Sequence, residues 1–396
     1  MRIVITMVDY PQNVSGAVRL AYDEAFFLAN NGHEVWIIAP DISRSHPEHV
    51  LQDGVHILCY PQLQVGLFDP RRVQVHQKLS ARLAHHYIDK PIDMIHGHAL
   101  LQYDGLLSVV DSDIRRCYTV HSPVRPEILA NSRGATALRR IQLGLVAQLT
   151  HRVERRCLTN SHCITAVSNY TRRLLRELHG ATIHQRVQVI PGWVDVERFR
   201  ILPDRKSAKS QLGWSTQIPT FFTLRRLVPR MGLDRLILAL REVRSAGYNF
   251  RVMIGGSGPL RAQLESLIRE SNLQENVSLI GFVAEDVLPL MYGAADAFLL
   301  PTAELECFGL IALESLACGR PVLATPIGAI PEILNNFEPR WMSQGATVTG
   351  IEQLIVDFLA GRLDVQEPSD LRAKVITSYS RDRVIKQLIC TIQGYS

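Results

Sequence analysis

Two glutamates eight positions apart form the most suggestive chemical pair in this sequence. Glu306 and Glu314 lie in "ELECFGLIALESLACGRPVLAT", a stretch that is otherwise largely apolar and interrupted by glycine. On a helix that turns 100° per residue, this spacing leaves two side chains roughly 80° apart, near enough to address one ligand. Because carboxylates accept strong hydrogen bonds, the pair could recognise the hydroxyl groups of a sugar.

The residues around the pair predict the elements that would position it. "ADAFLLPT" is typical of a strand, "AELECFG" of a loop, "LIALESLAC" of a helix that Gly319 ends, and "RPVLAT" of the next strand. A helix start offers free backbone N–H groups and a positive dipole end, which suit a phosphate. Taken singly, Glu306 could equally be a charge at a helix N-terminus and Glu314 a buried ion-pair partner.

The extended stretch "ELECFGLIALESLACGRPVLATPIGAIPEI" resembles the Glu-x7-Glu signature of the family 4 retaining glycosyltransferases. It shares the Phe-Gly after the first glutamate, the later Gly-x-Pro-x-x-Ala-Thr and the Pro-Glu. The resemblance implies the α/β fold called GT-B, in which two Rossmann-like doubly wound domains face each other across a cleft. It places Glu306 near the hydroxyls of the transferred sugar, the amides of Phe308, Gly309 and Leu310 nearby, and Glu314 on the nucleotide ribose.

A second stretch, "TLRRLVPRMGLDRLILAL", is similar to a family segment that usually reads Gly-Arg-Leu-x-x-x-Lys-Gly. In that register Arg226 matches the arginine, Arg225 replaces the glycine and Met231 replaces the lysine. Arg230 stands one place before the lysine position, and a guanidinium can bind phosphate through two hydrogen bonds. We expect Arg226 and Arg230 to reach the donor diphosphate, the alternative for Arg230 being a solvated loop charge.

Three histidines and two glycines stand at predicted strand ends. His121 in "YTVHSP" matches a histidine that the family brings to the donor sugar, the alternative being a turn residue bonded to the backbone. His96 and His98 lack a third, regularly spaced metal ligand, so cleft or packing roles are favoured. Gly16 in the first strand–helix loop and Gly256 in "FRVMIGGSGPL" are expected to let the backbone approach the donor.

Other kinds of site are disfavoured. "GGSGPLR" is not a G-x-G-x-x-G fingerprint, because Arg261 stands at the third glycine position, which argues against a nicotinamide dinucleotide. The Asp-x-Asp of Asp111 and Asp113 precedes a strand, where a surface turn is expected. We therefore predict no metal and no cofactor, with a nucleotide-diphosphate sugar as co-substrate.

Short apolar runs alternate with segments of helical period, which predicts parallel sheets covered by helices on both faces. An acceptor-side domain is expected over 1–197 and a nucleotide-sugar domain over 198–377, with a final helix at 378–396 packing back on the first. Residues 199–219 are polar and flanked by proline, as in a linker. The predicted strands are 2–8, 34–40, 55–61, 93–98, 115–123, 163–168, 187–195, 220–227, 250–256, 277–283, 297–302, 320–328 and 345–350.

Composition narrows the function further. The 396 residues are 46% hydrophobic and 20% charged, which excludes global disorder, and the net charge of +5 is too small to argue for nucleic acid. Seven cysteines without a CxxC pair, and no recognisable signal peptide or membrane-spanning run, predict a cytoplasmic protein. The basic amphipathic stretch 133–158 indicates either a core-packed helix or peripheral contact with the inner face of a membrane.

The resemblance implies a retaining, metal-independent glycosyltransferase. It would move a hexosyl unit from a UDP- or GDP-linked sugar to a hydroxyl of a glycan, lipid-linked or small-molecule acceptor. Charge developing on the leaving phosphate would be stabilised by Arg226, Arg230 and the helix start. The alternatives are a nucleotide-sugar epimerase or hydrolase on the same scaffold, a non-catalytic sugar-nucleotide binder, and an NAD enzyme.

Overall fold

A computed structural model of the chain describes residues 1–11, 15–41, 43, 45–61, 71–132 and 136–394. The chain divides into two compact units, one formed by Met1–Gly192 with Ile385–Ser396 and the other by Trp193–Val384. The sequence had suggested a boundary at 197. The last helix, Arg381–Gln393, begins in the second unit, and its residues from Ile385 onward belong to the first.

The first unit is built on one largely parallel sheet. Its described strands are β1 Arg2–Thr6, β2 Glu34–Asp41, β3 His49–Gln52, β4 Val55–Pro61, β5 Met94–Gly97, β6 Arg115–Val120, β7 Cys163–Ala166 and β8 Val187–Val189. They lie in the order β3-β4-β2-β1-β5-β6-β7-β8, and β3 alone among them pairs antiparallel. β1 is buried along its whole length, as expected for a strand covered on both faces.

Helices follow most of these strands, as the alternating pattern predicted. They are α1 Gly16–Asn30, α2 Arg71–Tyr87, α3 Leu100–Leu106, α4 Val124–Asn131, α5 Ala137–Asn160, α6 Asn169–His179 and α7 Ala181–Arg186. Side chains that recur at helical spacing, such as Val18, Ala21, Ala25 and Leu28 of α1, are buried.

β3 was missed in the sequence, although a signal for it exists. The strand is joined to β4 by Asp53 and Gly54, which both adopt positive φ, +53° and +77°. Asp-Gly between two strand-like runs is the preferred sequence of a two-residue hairpin, because both positions must be left-handed. The hairpin adds an antiparallel edge strand, in which exposed and half-buried residues alternate.

The second unit contains a fully parallel sheet. Its described strands are β9 Thr220–Leu224, β10 Arg251–Gly255, β11 Val277–Gly281, β12 Ala297–Leu300 and β13 Val322–Ala324, in the order β11-β10-β9-β12-β13. Its helices are α8 Arg205–Gln211, α9 Leu233–Ser245, α10 Arg261–Glu270, α11 Leu288–Ala294, α12 Leu310–Ala317, α13 Ile330–Leu334, α14 Val348–Leu359, α15 Pro368–Tyr379 and the start of α16, Arg381–Gln393.

Two predictions for this unit were wrong. The expected linker 199–219 contains α8, because Asp204 caps its first turn and Arg205 and Lys209 both bind Asp296, next to β12. The strand expected at 345–350 is absent, because Thr347 caps α14 by accepting a hydrogen bond from the Gly350 amide at 3.0 Å. In both places a side-chain cap decided the local structure.

Candidate functional site

Four loops of the second unit meet at the carboxyl edge of its sheet, the edge at which open parallel sheets bind ligands. The loops follow β9, β10, β12 and β13, and each is tied to a neighbour through the main chain. The bonds run from Arg225 N to Gly255 O at 2.9 Å, from Ala303 N to Arg230 O at 2.9 Å, and from Ala329 N to Glu306 O at 2.8 Å.

Glycine makes this packing possible at two positions. A Cβ on Gly256, whose φ is +119°, would lie 1.9 Å from the carbonyl oxygen of Arg225. A Cβ on Gly328, whose φ is +67°, would lie 2.0 Å from the carbonyl oxygen of Glu306. Any other residue would force these backbones apart. The predicted role of Gly256 toward the donor stays a prediction, since its observed contact is with the loop after β9.

Glu306 lies in the loop between β12 and α12, and its carboxylate is held by two side chains. Its Oε2 accepts hydrogen bonds from Arg225 Nη2 at 2.7 Å and from Thr302 Oγ1 at 3.1 Å. The same Nη2 donates to Thr302 Oγ1 at 2.9 Å, which closes a triangle. No hydrogen bond to Oε1 occurs among the described residues, so the fixed carboxylate keeps one acceptor for a ligand.

Arg225 is the residue of this candidate site that sequence reasoning missed. The sequence analysis noted Arg225 only as the residue that replaces the glycine of the family pattern. Its side chain is just 5% exposed and forms an ion pair with Glu306. Its buried Nε lacks a hydrogen-bond partner within the described part of the chain. Such an unpaired donor costs roughly 1–3 kcal/mol, which a ligand oxygen could recover. A cation directly after an apolar strand was the available signal.

The N-terminus of α12 adjoins Glu306. Its N-cap is Gly309, with φ +98°, and a Cβ there would come within 3.9 Å of Glu306 Cγ. The backbone amides of Phe308, Gly309 and Leu310 find no acceptor in the described ranges. Free N–H groups at the positive end of a helix suit a phosphate, so an acceptor for hydroxyl groups and donors suited to an anion lie side by side.

Glu314 lies in α12 and points into the unit. It is 4% exposed, and its Oε2 accepts a hydrogen bond from the hydroxyl of Tyr292, itself fully buried, at 2.7 Å. Glu306 in the loop before α12 and Glu314 within α12 therefore have different surroundings. The contact of Glu314 with a ribose stays a prediction.

The cations predicted to bind diphosphate differ in environment. Arg226 is exposed, whereas Arg230 is half-buried and donates from Nη1 to the carbonyl of Leu305 at 3.0 Å. Leu305 has a positive φ of +56°, so Arg230 stabilises the strained loop that carries Glu306. Met231, at the family lysine position, is buried.

The remaining predicted residues belong to the first unit. Gly16 is the exposed first residue of α1, whose N-cap is Ser15. His121 follows β6, and its Nε2 lies 2.9 Å from Nδ1 of His98. His96 and His98 both bond Glu24 of α1, which shows a packing role that spacing alone left open.

Two clusters in the described residues have ligand atoms close enough to hold a metal ion. One is Glu24 with His96 and His98, and the other is His151 with Glu154 and His179. Glu24 already has ring nitrogens of both its histidines as hydrogen-bond partners, and Glu154 has Nε2 of His179. The Asp-x-Asp of 111–113 is exposed and lies in a turn, as expected.

Sequence comparison matches both halves of the chain to glycosyltransferases. The family described as Glycosyltransferase Family 4 matches residues 14–198, and Glycosyl transferases group 1 matches residues 204–377. A GDP-mannose-dependent alpha-(1-6)-phosphatidylinositol monomannoside mannosyltransferase of Mycobacterium tuberculosis is 30% identical over 216 residues. That alignment covers 53% of this chain and 56% of the relative, so the chain spans about half the length of such relatives.

Solved structures share the fold. The sucrose-phosphate synthase of Thermosynechococcus elongatus superposes with a TM-score of 0.81 at 18% identity, over the whole of both chains. The Anabaena protein HepE in complex with UDP-glucose has a TM-score of 0.73 at 16% identity, again over both whole chains. These likenesses confirm the predicted α/β, GT-B fold class.

The close contact at Gly328 predicts a large cost for a methyl group there. Gly328→Ala and Gly247→Ala both place a side chain at positive φ, +67° and +89°, which alone costs about 1–2 kcal/mol. Nothing lies within 4 Å of the Cβ position of Gly247, so only Gly328→Ala must also move a backbone. In denaturant unfolding we expect Gly328→Ala to lose about 3 kcal/mol or more. If Gly328→Ala and Gly247→Ala lost the same free energy of unfolding, the close contact at Gly328 would be contradicted.

The buried ion pair predicts strong coupling between Arg225 and Glu306. Arg225→Ala alone leaves a buried carboxylate without its cation, whereas Arg225→Ala with Glu306→Gln removes both charges. We expect a coupling of about 2–3 kcal/mol in the free energy of unfolding. The exposed pair Arg82–Glu48, at 3.1 Å, serves as control and should couple by about 1 kcal/mol or less. A coupling as small as that of Arg82 with Glu48 would contradict a buried ion pair between Arg225 and Glu306.

Proposed function

This chain belongs to glycosyltransferase family 4, and from that premise we propose that it moves a hexosyl unit from a nucleotide-diphosphate sugar to an acceptor hydroxyl with retention. One observation carries the proposal. The fixed carboxylate of Glu306 adjoins the α12 amides that have no acceptor among the described residues, so a group suited to sugar hydroxyls lies beside donors suited to phosphate. A nucleotide-diphosphate sugar contains both partners.

The arrangement suits the chemistry of the departing phosphate. As the bond between sugar and phosphate breaks, negative charge grows on the leaving oxygen and positive charge on the sugar ring. The α12 amides and the exposed Arg226 would stabilise the first, because prealigned donors need no reorganisation during the reaction. Arg230 contributes by holding the loop of Glu306 through Leu305. His121, in the first unit, is the proposed contact to the donor sugar.

The relatives suggest which donor base and which acceptor to test first. The first relatives are named as GDP-mannose-dependent enzymes acting on a phosphatidylinositol mannoside, and a structural neighbour holds UDP-glucose. GDP-mannose and UDP-glucose are therefore the donors to test first. A lipid-linked hydroxyl is the acceptor we favour, with glycans and small molecules as the other members of the class.

Glu306→Gln should lower kcat/KM about tenfold to a hundredfold, because a charge-assisted hydrogen bond to the sugar contributes about 1.5–3 kcal/mol. The measurement is nucleotide release from a panel of UDP- and GDP-sugars with lipid-linked and soluble acceptors, with EDTA present throughout. Glu275→Gln, at an exposed glutamate of the same unit, is the control and should match the wild type.

Three results would count against the proposal. A Glu306→Gln enzyme as fast as the wild type would remove Glu306 from the site. Loss of activity in EDTA that Mg²⁺ restores would contradict metal independence. Complete turnover without acceptor, with an altered sugar as product, would favour an epimerase or a hydrolase.

The first unit also carries a surface suited to a membrane. Leu138, Ile141 and Leu145 are 69%, 65% and 68% exposed, and their spacing puts them on one face of α5. Arg139 and Arg140 are exposed in the same turns. Apolar side chains beside arginines are typical of helices that lie on anionic bilayers, so we propose that this stripe docks there.

α5 reconciles the two interpretations left open for 133–158. It spans Ala137–Asn160, and Arg133 lies outside the described residues. Its later turns are core-packed through Ala147, Val153 and Cys157, whereas its first turns are exposed. Within the described chain, no helix has both the length and the apolar content needed to span a bilayer.

Replacing Leu138, Ile141 and Leu145 together by serine should abolish co-sedimentation with vesicles that contain phosphatidylglycerol. Burial of three apolar side chains provides several kcal/mol of membrane binding, and the arginines make that binding sensitive to salt. Serine at Val365 and Ile376, two exposed apolar residues of the second unit, is the control. Wild-type protein that ignores these vesicles, or a triple variant that still binds them, would reject the surface.

A further inference from the structure

A buried chain of hydrogen bonds in the first unit ends at His121. Its members come from α1, from β5 and β6 with the residues just after them, and from β7, and all but His121 are buried. The bonds are Thr165 Oγ1 to Thr119 Oγ1 at 2.6 Å, Thr119 Oγ1 to His96 Nε2 at 2.8 Å, His96 Nδ1 to Glu24 Oε1 at 2.6 Å, Glu24 Oε2 to His98 Nε2 at 2.8 Å, and His98 Nδ1 to His121 Nε2 at 2.9 Å.

We propose that Glu24 fixes the tautomer of His121 through His98, so that His121 offers its bare Nδ1 to a hydroxyl hydrogen of the substrate. Glu24 and His98 are positioning residues in this account, since neither needs to touch the substrate. The part that concerns substrate rests on the proposed function, whereas the tautomer does not.

The donor and acceptor in each hydrogen bond of this network can be worked out from the carboxylate of Glu24. An ionised carboxylate only accepts hydrogen bonds. Burial alone would raise the pKa of Glu24, but the charges and hydrogen bonds of His96 and His98 outweigh it and lower the pKa to about 2. Glu24 is therefore ionised at neutral pH, and the nitrogens that face it, Nδ1 of His96 and Nε2 of His98, must carry hydrogens.

The next link follows from the neutral state of His98. Burial lowers the pKa of His98, the charge of His96 acts in the same direction, and Glu24 opposes them only in part. A neutral ring that carries its hydrogen on Nε2 has a bare Nδ1, which can only accept. The 2.9 Å contact therefore requires that His121 donate from Nε2.

The protonation of Nδ1 of His121, the ring nitrogen that does not face His98, then follows. Burial lowers the pKa of His121 well below its usual value, and His98 and His96 add to this effect against Glu24. The neutral ring carries its one hydrogen on Nε2, so Nδ1 is an acceptor. No hydrogen bond to Nδ1 occurs among the described residues, and His121 is half-buried, so a ligand can reach it.

The tautomer selects the kind of group that His121 can recognise. A bare Nδ1 binds a hydroxyl or an amide N–H, whereas the opposite tautomer would bind a carboxylate or phosphate oxygen. The hydrogen-bond network therefore favours a neutral sugar whose hydroxyl faces Nδ1 of His121 over a sugar that carries an acid group there. A buried site that is built for one hydrogen-bond polarity discriminates strongly against the other.

The direct test is nitrogen NMR of protein labelled with ¹⁵N-histidine, at slightly alkaline pH, with His121→Gln used to assign the ring. The wild type should show His121 protonated on Nε2 and bare on Nδ1. Glu24→Ala leaves Nε2 of His98 without its acceptor, so the hydrogen of His98 can move to Nδ1, and in part of the molecules hydrogen should appear on Nδ1 of His121. With a neutral hexosyl donor, kcat/KM should fall about tenfold, the size of one hydrogen bond.

Thr119→Val is the matched control, because it disturbs the same buried network on the arm that leads away from His121. Its His121 tautomer should equal that of the wild type. If Glu24→Ala does not fold, His98→Ala removes the ring between Glu24 and His121 and should release the tautomer in the same way.

Three outcomes would overturn the inference: a wild-type His121 protonated on Nδ1, a Glu24→Ala variant with unchanged tautomer and rate, or one tightly bound divalent metal per chain that Glu24→Ala removes. If the tautomers are as predicted but no sugar is transferred from any donor, the proposed function fails and the tautomer assignment stands. If transfer occurs without the tautomer change, only this inference fails.

Discussion

The ion pair between Arg225 and Glu306 joins two loops that lie 81 positions apart in the chain. Both side chains are largely buried, and either charge alone would be costly there because it would lose its hydration without compensation. The pair therefore holds the loop after β12 against the loop after β9. Gly256 and Gly328 allow the backbones to close around it, and the start of α12 is carried to its place by the same loop.

In each unit a buried ionic or hydrogen-bonded partner fixes the orientation of one side chain. That side chain keeps one acceptor atom available to a ligand. In the second unit Arg225 binds one oxygen of Glu306 and leaves the other as an acceptor. In the first unit Glu24 acts on His121 through His98 and leaves Nδ1 as an acceptor. In each unit a prealigned acceptor suits a hydroxyl group and loses little entropy when a ligand binds.

Strand periodicity and helix spacing were enough to predict the two sheets, because parallel strands buried on both faces leave a clear apolar pattern. The residues around Glu306 and Glu314 likewise placed the first in a loop and the second on a helix. Periodicity failed where a side-chain cap decides, as at Asp204 and Thr347, and where an edge hairpin depends on positive φ. The pairing of Arg225 with Glu306, and of Glu24 with His96 and His98, could not be predicted, since each is set by strand order and by distant loops rather than by neighbours in sequence.

The most direct measurement is a crystal structure of this chain with GDP-mannose or UDP-glucose bound. The account predicts that the diphosphate accepts hydrogen bonds from the amides of Phe308, Gly309 and Leu310. It also predicts that a sugar hydroxyl donates to Oε1 of Glu306 while Oε2 stays on Arg225. A diphosphate bound away from the start of α12, or a sugar that leaves Glu306 untouched, would contradict it.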